Sequence, residues 1–173
     1  MSLAFLALPI ILIYRSAKRW FKYHQLILSI CWGFAVLIPW AANEGNLNSN
    51  VLLLCWLATI FWTFGFDTIY ALADKQYDIK IGINSSAVNL QKNTRITIQI
   101  CYFLTSSFLA LCGFINQMDF IFWPIWLTTS ILMQRDILKV FPEENQSIKN
   151  IGNHFKNQSI YGGVLLLGII IAS

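Results

Sequence analysis

Five uncharged apolar runs, separated by linkers of alternating charge, constrain this chain more than any other feature of it. They cover residues 26–42, 51–66, 97–115, 120–133 and 160–172, and a helix needs roughly 20 such residues to cross a bilayer. Several runs are shorter than that, so their helices must extend into the flanks, the second from Val51 through Ala73. The opening stretch, MSLAFLALPIILIY, is apolar as well. It lacks a basic leading region and an A-x-A cleavage site, so it reads as a short or truncated span rather than a signal peptide. Only 12% of the residues are charged and 57% are hydrophobic, against about 25% charged in a soluble domain. The expected fold class is therefore all-α, a polytopic transmembrane helix bundle of about five to six helices, forming a single membrane domain over residues 1–173.

Charge placement supports the same layout independently. The linker over 14–25 carries Arg15, Lys18, Arg19 and Lys22; the next basic one carries Lys75, Lys80, Lys92 and Arg95; the last carries Arg135, Lys139, Lys149 and Lys156. These are all 12 basic residues, and the intervening linkers NEGNLNSN and NQMD have none. Cationic linkers stay on the cytoplasmic side of a membrane, so all three are expected there, with both chain ends opposite, in an inner or plasma membrane. The net charge of +4 then orients the chain in the lipid bilayer, and no nucleic acid is needed to explain it. Trp20, Trp40 and Trp123 fit interfacial belts. Cys31, Cys55, Cys101 and Cys112 lie in apolar runs without a C-x-x-C pair and read as small buried residues. His24 and His154 read as interfacial polar residues, and the polar linker over 134–159 could hold an interfacial helix.

Against this background the segment DTIYALADKQYD, residues 67–78, is unusual, because it sets three carboxylates beside hydrocarbon, where ionised groups are costly. If the helix begun at Val51 continues through them, a turn of ~100° per residue puts Asp74 about 20° short of Asp67 and Asp78 about 20° beyond it. All three then share one stripe. Asp74 and Asp78 are about 6 Å apart along the axis, whereas Asp67 lies about 10 Å from Asp74. One bound cation can engage the first two. Asp67 is deeper and is expected to hold a basic partner or orient the site. Mg²⁺ is commonly held by one or two carboxylates plus phosphate oxygens, which points to a phosphorylated substrate. Spacing alone leaves a second account open, in which the carboxylates pair with Lys75 and Lys80 at the water interface.

The wider segment DTIYALADKQYDIKIGINSSA resembles the second Asp-rich motif of the UbiA prenyltransferase superfamily, D-x-x-Y-A-x-x-D-x-x-x-D, through Asp67, Tyr70, Ala71, Asp74 and Asp78. The following K-I-G-I-x-S, with Lys80, Gly82 and Ser85, is similar to that of the 4-hydroxybenzoate polyprenyltransferases within it. YRSAKRW resembles the family's Y-x-x-x-K element through Tyr14 and Lys18, and GFAVLIPWAA and FKNQSIYGG look like later family segments. Asn84 stands where the family usually has Lys. Members resemble one another as nine-helix enzymes with two facing Asp-rich motifs, the first reading N-D-x-x-D-x-x-x-D. This chain contains no Asn-Asp pair, and Asp119 and Asp136 have no partner at that spacing. It also has no early basic residue that could hold an aromatic carboxylate. The likeness is thus to the last five or six helices, and an N-terminal half is expected to be missing.

The resemblance implies transfer of a polyprenyl group from its diphosphate to the ring of 4-hydroxybenzoate in the biosynthesis of a quinone such as ubiquinone or plastoquinone. It implies Mg²⁺ on Asp74 and Asp78, Lys18 as a diphosphate contact with Tyr14 beside it, and Asp67, Tyr70 and Lys80 as supporting members of the site. With one Asp-rich motif only, the 173 residues are expected to be inactive alone. A second account is a non-catalytic membrane protein, either a decayed copy or a subunit of a split enzyme. A CDP-alcohol phosphatidyltransferase would require D-G-x-x-A-R, and DTIYAL has neither the Gly nor the Arg. A transporter using the buried carboxylates as a proton relay is a further alternative.

Overall fold

A computed structural model describes residues 2–141 and 148–173. The described residues fold into six long helices and one short one: α1 (Ser2–Ala17), α2 (His24–Glu44), α3 (Asn50–Ile81), α4 (Ser86–Asn89), α5 (Thr94–Ile115), α6 (Phe122–Val140) and α7 (Ile148–Ala172), with a 3₁₀ turn at Gln91–Asn93 before α5. Among the described residues, four helices are long and apolar enough to cross a membrane: α2, α3, α5 together with its leading turn, and α7. The chain is a multi-pass integral membrane protein, as its hydropathy pattern predicts.

Local chemistry sets the helix ends. Ser49 Oγ accepts from the Leu52 N–H at 3.4 Å and starts α3, an N-cap that relieves one of the orphan donors of the first turn. Gly45 and Gly82, both at φ 68°, end α2 and α3 in the left-handed conformation that glycine adopts without strain. Beyond Gly82 the Ile83 N–H reaches back to the Asp78 carbonyl at 2.9 Å, and Ser85 Oγ caps α4 by accepting from Val88 N–H at 3.3 Å. The sequence GINS is therefore a helix stop followed at once by a helix start.

The alternating linkers assemble at opposite ends of the bundle. At the basic end, Asn84 N–H donates to the Lys18 carbonyl at 3.0 Å, joining the first basic linker to the second. At the other end, Asp119 N–H meets the Ala172 carbonyl at 3.1 Å. Helix α3 is the hub, packed along α2 and α5 and touching α7. Its 32 residues span about 48 Å, well beyond the ~30 Å of hydrocarbon, so its last turns project towards the interface. The hydrophobic core concentrates at that basic end, around Ile69, Leu72, Ile98, Tyr102 and Ile137. Large side chains such as Leu12, Phe103 and Phe114 are exposed on the outside of the bundle, where lipid solvates them.

Close helix contacts rely on glycine, as small residues commonly permit in membranes. A Cβ at Gly65 would lie 2.7 Å from Cε1 of Tyr102, a ring that is fully buried and cannot swing aside. Gly65→Val should therefore destabilise the α3–α5 contact by roughly 1–3 kcal/mol. Gly163→Val, at a position with nothing within 4 Å, should leave the thermal unfolding midpoint in detergent unchanged. Equal midpoints for the two variants would contradict this packing.

Two expectations require correction here. Residues 134–140 are the last turns of α6 and 148–159 the first turns of α7, so no separate interfacial helix occupies the described part of that linker; 142–147 lie outside the described residues. Asp136 bonds to Asn157 and Tyr161 across the α6–α7 contact instead of lying along the membrane surface. His154, accordingly, is 2% exposed and bonded to the Tyr102 hydroxyl at 2.8 Å, not interfacial. The four cysteines are unbridged, with Cys101 and Cys112 buried and Cys31 and Cys55 half-buried.

Candidate functional site

Helix α3 carries Asp67 and Tyr70 through Asp74 to Asp78 without a break. Asp67, Tyr70, Ala71, Asp74 and Asp78 fall at intervals of three or four residues and form one wall of a cavity of about 230 Å³. The opposite wall comes from the end of α1 and the start of α2, with Tyr14, Lys18, His24 and Gln25, and Ile83 closes it from the loop. Of the seven residues that the sequence singles out, six meet here. Lys80 does not; it lies exposed in the last turn of α3, outside the cavity. A cation there complements the carbonyl end of the helix dipole. Asp67 and Asp78 are half-buried and Asp74 is open, so the acidic stripe is partly sheltered and partly exposed to water.

The carboxylates lack cationic partners. Among the described residues the only ion pair is Lys139–Asp136, so Lys75 and Lys80 do not neutralise the stripe. The interfacial pairing left open by spacing is absent. Three carboxylates face one ammonium, Lys18, across the cavity. Such an excess of negative charge, partly sheltered from water, attracts a divalent cation strongly. No three His, Cys, Asp or Glu side chains among the described residues converge as a closed metal cage. A cation here would be held by a carboxylate pair and would need further oxygens from a ligand.

A hydrogen-bonded brace holds the two walls in register. His24 Nδ1 lies 2.7 Å from the Asn84 carbonyl; a carbonyl can only accept, so Nδ1 bears the hydrogen and Nε2 keeps its lone pair. Gln25 Oε1 accepts from Ser86 N–H at 2.9 Å, and Thr68 and Ser86 share a 2.7 Å hydroxyl bond. Asn89 Nδ2 donates to the Lys22 carbonyl at 3.1 Å. Asn84 takes part through its backbone alone, with Lys18 and His24, so the brace tolerates Asn in place of Lys. On the outer side, Phe155 of α7 packs on Phe66 at 5.0 Å and on Tyr70 at 6.4 Å between ring centroids.

Sequence reasoning missed His24, Gln25 and Ile83. His24 is half-buried against Tyr14, with ring centroids 6.0 Å apart, and Gln25 is 2% exposed. The one available signal was a hydrogen-bonding pair, His-Gln, placed where an apolar run begins.

Residues 1–153 match the UbiA prenyltransferase family. The chain belongs to that family. Among its UbiA relatives, the 4-hydroxybenzoate solanesyltransferase of Synechocystis sp. is 39% identical over 168 residues, covering 95% of this chain and 56% of that protein. The 4-hydroxybenzoate octaprenyltransferase of Francisella tularensis subsp. novicida is 30% identical, with 98% of this chain and 58% of the relative covered. That of Vibrio campbellii is 28% identical, with 99% and 59% covered. This UbiA chain thus spans somewhat over half the length of these relatives, matching their C-terminal part. No solved structure matches it.

Proposed function

We propose that the Asp-rich cavity receives a polyprenyl diphosphate and that the protein takes part in transferring the polyprenyl group to 4-hydroxybenzoate, at the cytoplasmic face of an inner or plasma membrane, in quinone biosynthesis. One observation carries this: Asp67, Asp74 and Asp78 line a single cavity opposite Lys18, and no ion pair compensates them. The names of the relatives supply the substrate class.

The residues fit Mg²⁺. Asp74 and Asp78 are one helical turn apart, both reach the cavity and neither is paired, which leaves hard oxygen ligands for a cation that prefers to share its shell with phosphate oxygens. When bound, Mg²⁺ supplies positive charge that stabilises a departing pyrophosphate. Lys18 binds the diphosphate from the opposite wall, and its ammonium adds charge where the leaving group develops it. Asp67 sits deeper on the same stripe and positions the site rather than ligating the same ion. Tyr14 and His24 wall the α1–α2 side, and Phe66, Phe155 and Tyr70 pack together on the α7 side, an apolar surface of the kind that shields a reactive allylic group from hydrolysis.

The 173 residues contain no N-D-x-x-D motif, whereas the family resemblance implies a second acidic motif facing the first for transfer. The polypeptide by itself is therefore expected to bind the donor but not to turn it over. With purified protein, Mg²⁺ and polyprenyl diphosphate together should raise the unfolding midpoint, while neither does so alone. Labelled 4-hydroxybenzoate should become prenylated only when the remaining N-terminal part of the Synechocystis relative is co-expressed. Absence of Mg²⁺-dependent protection would remove the donor site. Product from the 173 residues alone would instead show that a second acidic motif is dispensable.

A further inference from the structure

A second polar cavity lies between α6 and α7, at the same basic end of the bundle but built from residues that the Asp-rich site does not use. It encloses about 220 Å³ and is lined by Asp136, Lys139, Asn150, Asn153, His154 and Asn157. Its carboxylate is already committed. Asp136 Oδ1 accepts from Lys139 Nζ at 2.9 Å, and Oδ2 accepts from Asn157 Nδ2 at 2.6 Å and from the Tyr161 hydroxyl at 2.8 Å. The charge of Asp136 is matched by Lys139, and no basic ligand is called for.

The uncommitted groups are donors. The ring of His154 stacks on Tyr102, centroids 5.9 Å apart at 5°, with Nε2 2.8 Å from the Tyr102 hydroxyl. That hydroxyl is fully buried and His154 is its one partner among the described residues, so its hydrogen goes to Nε2. Nδ1 of His154 therefore carries the ring hydrogen. His154 is 2% exposed, yet Nδ1 has no hydrogen-bond partner among the described residues. An unpaired buried N–H is rare in folded proteins and calls for an occupant. Lys139, 67% exposed, retains hydrogens beyond the one given to Asp136, and the Asn153 amide is free to donate. Arg135, Lys149 and Lys156, exposed on the same two helices, make this end of the α6–α7 pair positively charged.

We propose that this cavity binds a phosphate oxyanion, received by the Nδ1–H of His154, the ammonium of Lys139 and the amide of Asn153. The oxyanion is either a lipid headgroup at the membrane surface or a free phosphate, since both present the same acceptor oxygens to the same donors. The site stands independently of the Asp-rich cavity, which holds an excess of carboxylates and would repel an anion not accompanied by a metal.

The protein has two histidines, so ring-¹⁵N-labelled histidine gives two imidazole spin systems, and His24→Gln assigns the survivor to His154. From a baseline in phosphate-free maltoside micelles, inorganic phosphate is titrated in one arm, and in the other the protein is moved into phosphatidylglycerol nanodiscs. The Nδ1–H resonance of His154 should move to saturation in at least one arm. A shift with phosphate alone assigns a soluble oxyanion, and a shift in nanodiscs alone assigns the headgroup. Asn153→Asp, an exposed substitution that adds a like charge, should weaken the response about tenfold or more. A His154 resonance unmoved in both arms, or a response that Asn153→Asp leaves intact, overturns the proposal.

Discussion

Asp74→Ala should lower the affinity of the protein for Mg²⁺-loaded polyprenyl diphosphate by more than about 100-fold, because loss of a supporting residue around a metal already costs roughly 10–100-fold and a direct ligand costs more. Asp78→Ala should do the same, since the two side chains reach one cavity from successive turns of α3. Asp67→Asn should have a smaller effect, because that residue lies about 10 Å from Asp74 along the helix. Lys80→Ala, outside the cavity, should have none. Titration of the donor in detergent, with Mg²⁺ and again with a chelator, reads all four. Unchanged affinity in Asp74→Ala would mean that the acidic stripe serves something other than a metal-bound diphosphate.

The largest loss of stability is expected at Asp136, outside that stripe. Asp136→Leu removes the acceptor of three hydrogen bonds, from Lys139, Asn157 and Tyr161, at a residue 2% exposed. Lys139 can turn to water, but the Tyr161 hydroxyl and the Asn157 amide are left without partners inside the α6–α7 contact. Each buried orphan costs on the order of 1–3 kcal/mol, so a total of about 2–6 kcal/mol is expected in thermal unfolding in detergent. Asp119→Leu, exposed and losing only a 3.4 Å contact with the Ile121 N–H, should cost less than about 1 kcal/mol. If the two variants unfold alike, the polar web between α6 and α7 contributes nothing.

Much of this architecture could be read before any coordinates, for definite physical reasons. Hydrocarbon forces every spanning segment to be helical, so four of the five apolar runs translate into α2, α3, α5 and α7, each long and apolar enough to cross, while the shorter run 120–133 forms α6, which is not one of those four. The 3.6-residue period fixes which side chains share a face, which is why Asp67, Tyr70, Asp74 and Asp78 end in one cavity. The same arithmetic sets Lys80 about 140° around the helix from Asp67, so its exclusion was legible too. What remained hidden depends on distant partners. Gln25 and His24 belong to the site through bonds to Ser86 and Asn84, about 60 residues on. Hydropathy alone reads residues 134–159 as surface because it assigns each polar side chain to water. Asp136 instead finds Asn157, and His154 finds Tyr102, across helix contacts that composition does not record.

The chemistry depends on whether Asp74 and Asp78 hold a divalent cation together with a diphosphate. Crystals grown with Mn²⁺ in place of Mg²⁺ and a prenyl thiodiphosphate test this most directly, through the anomalous signal of the metal. A manganese peak bonded to carboxylate oxygens of Asp74 and Asp78 and to phosphate oxygens, with Lys18 on the far side of the diphosphate, is the expected result. A diphosphate seated elsewhere, or a metal that touches neither aspartate, would contradict the assignment of this cavity.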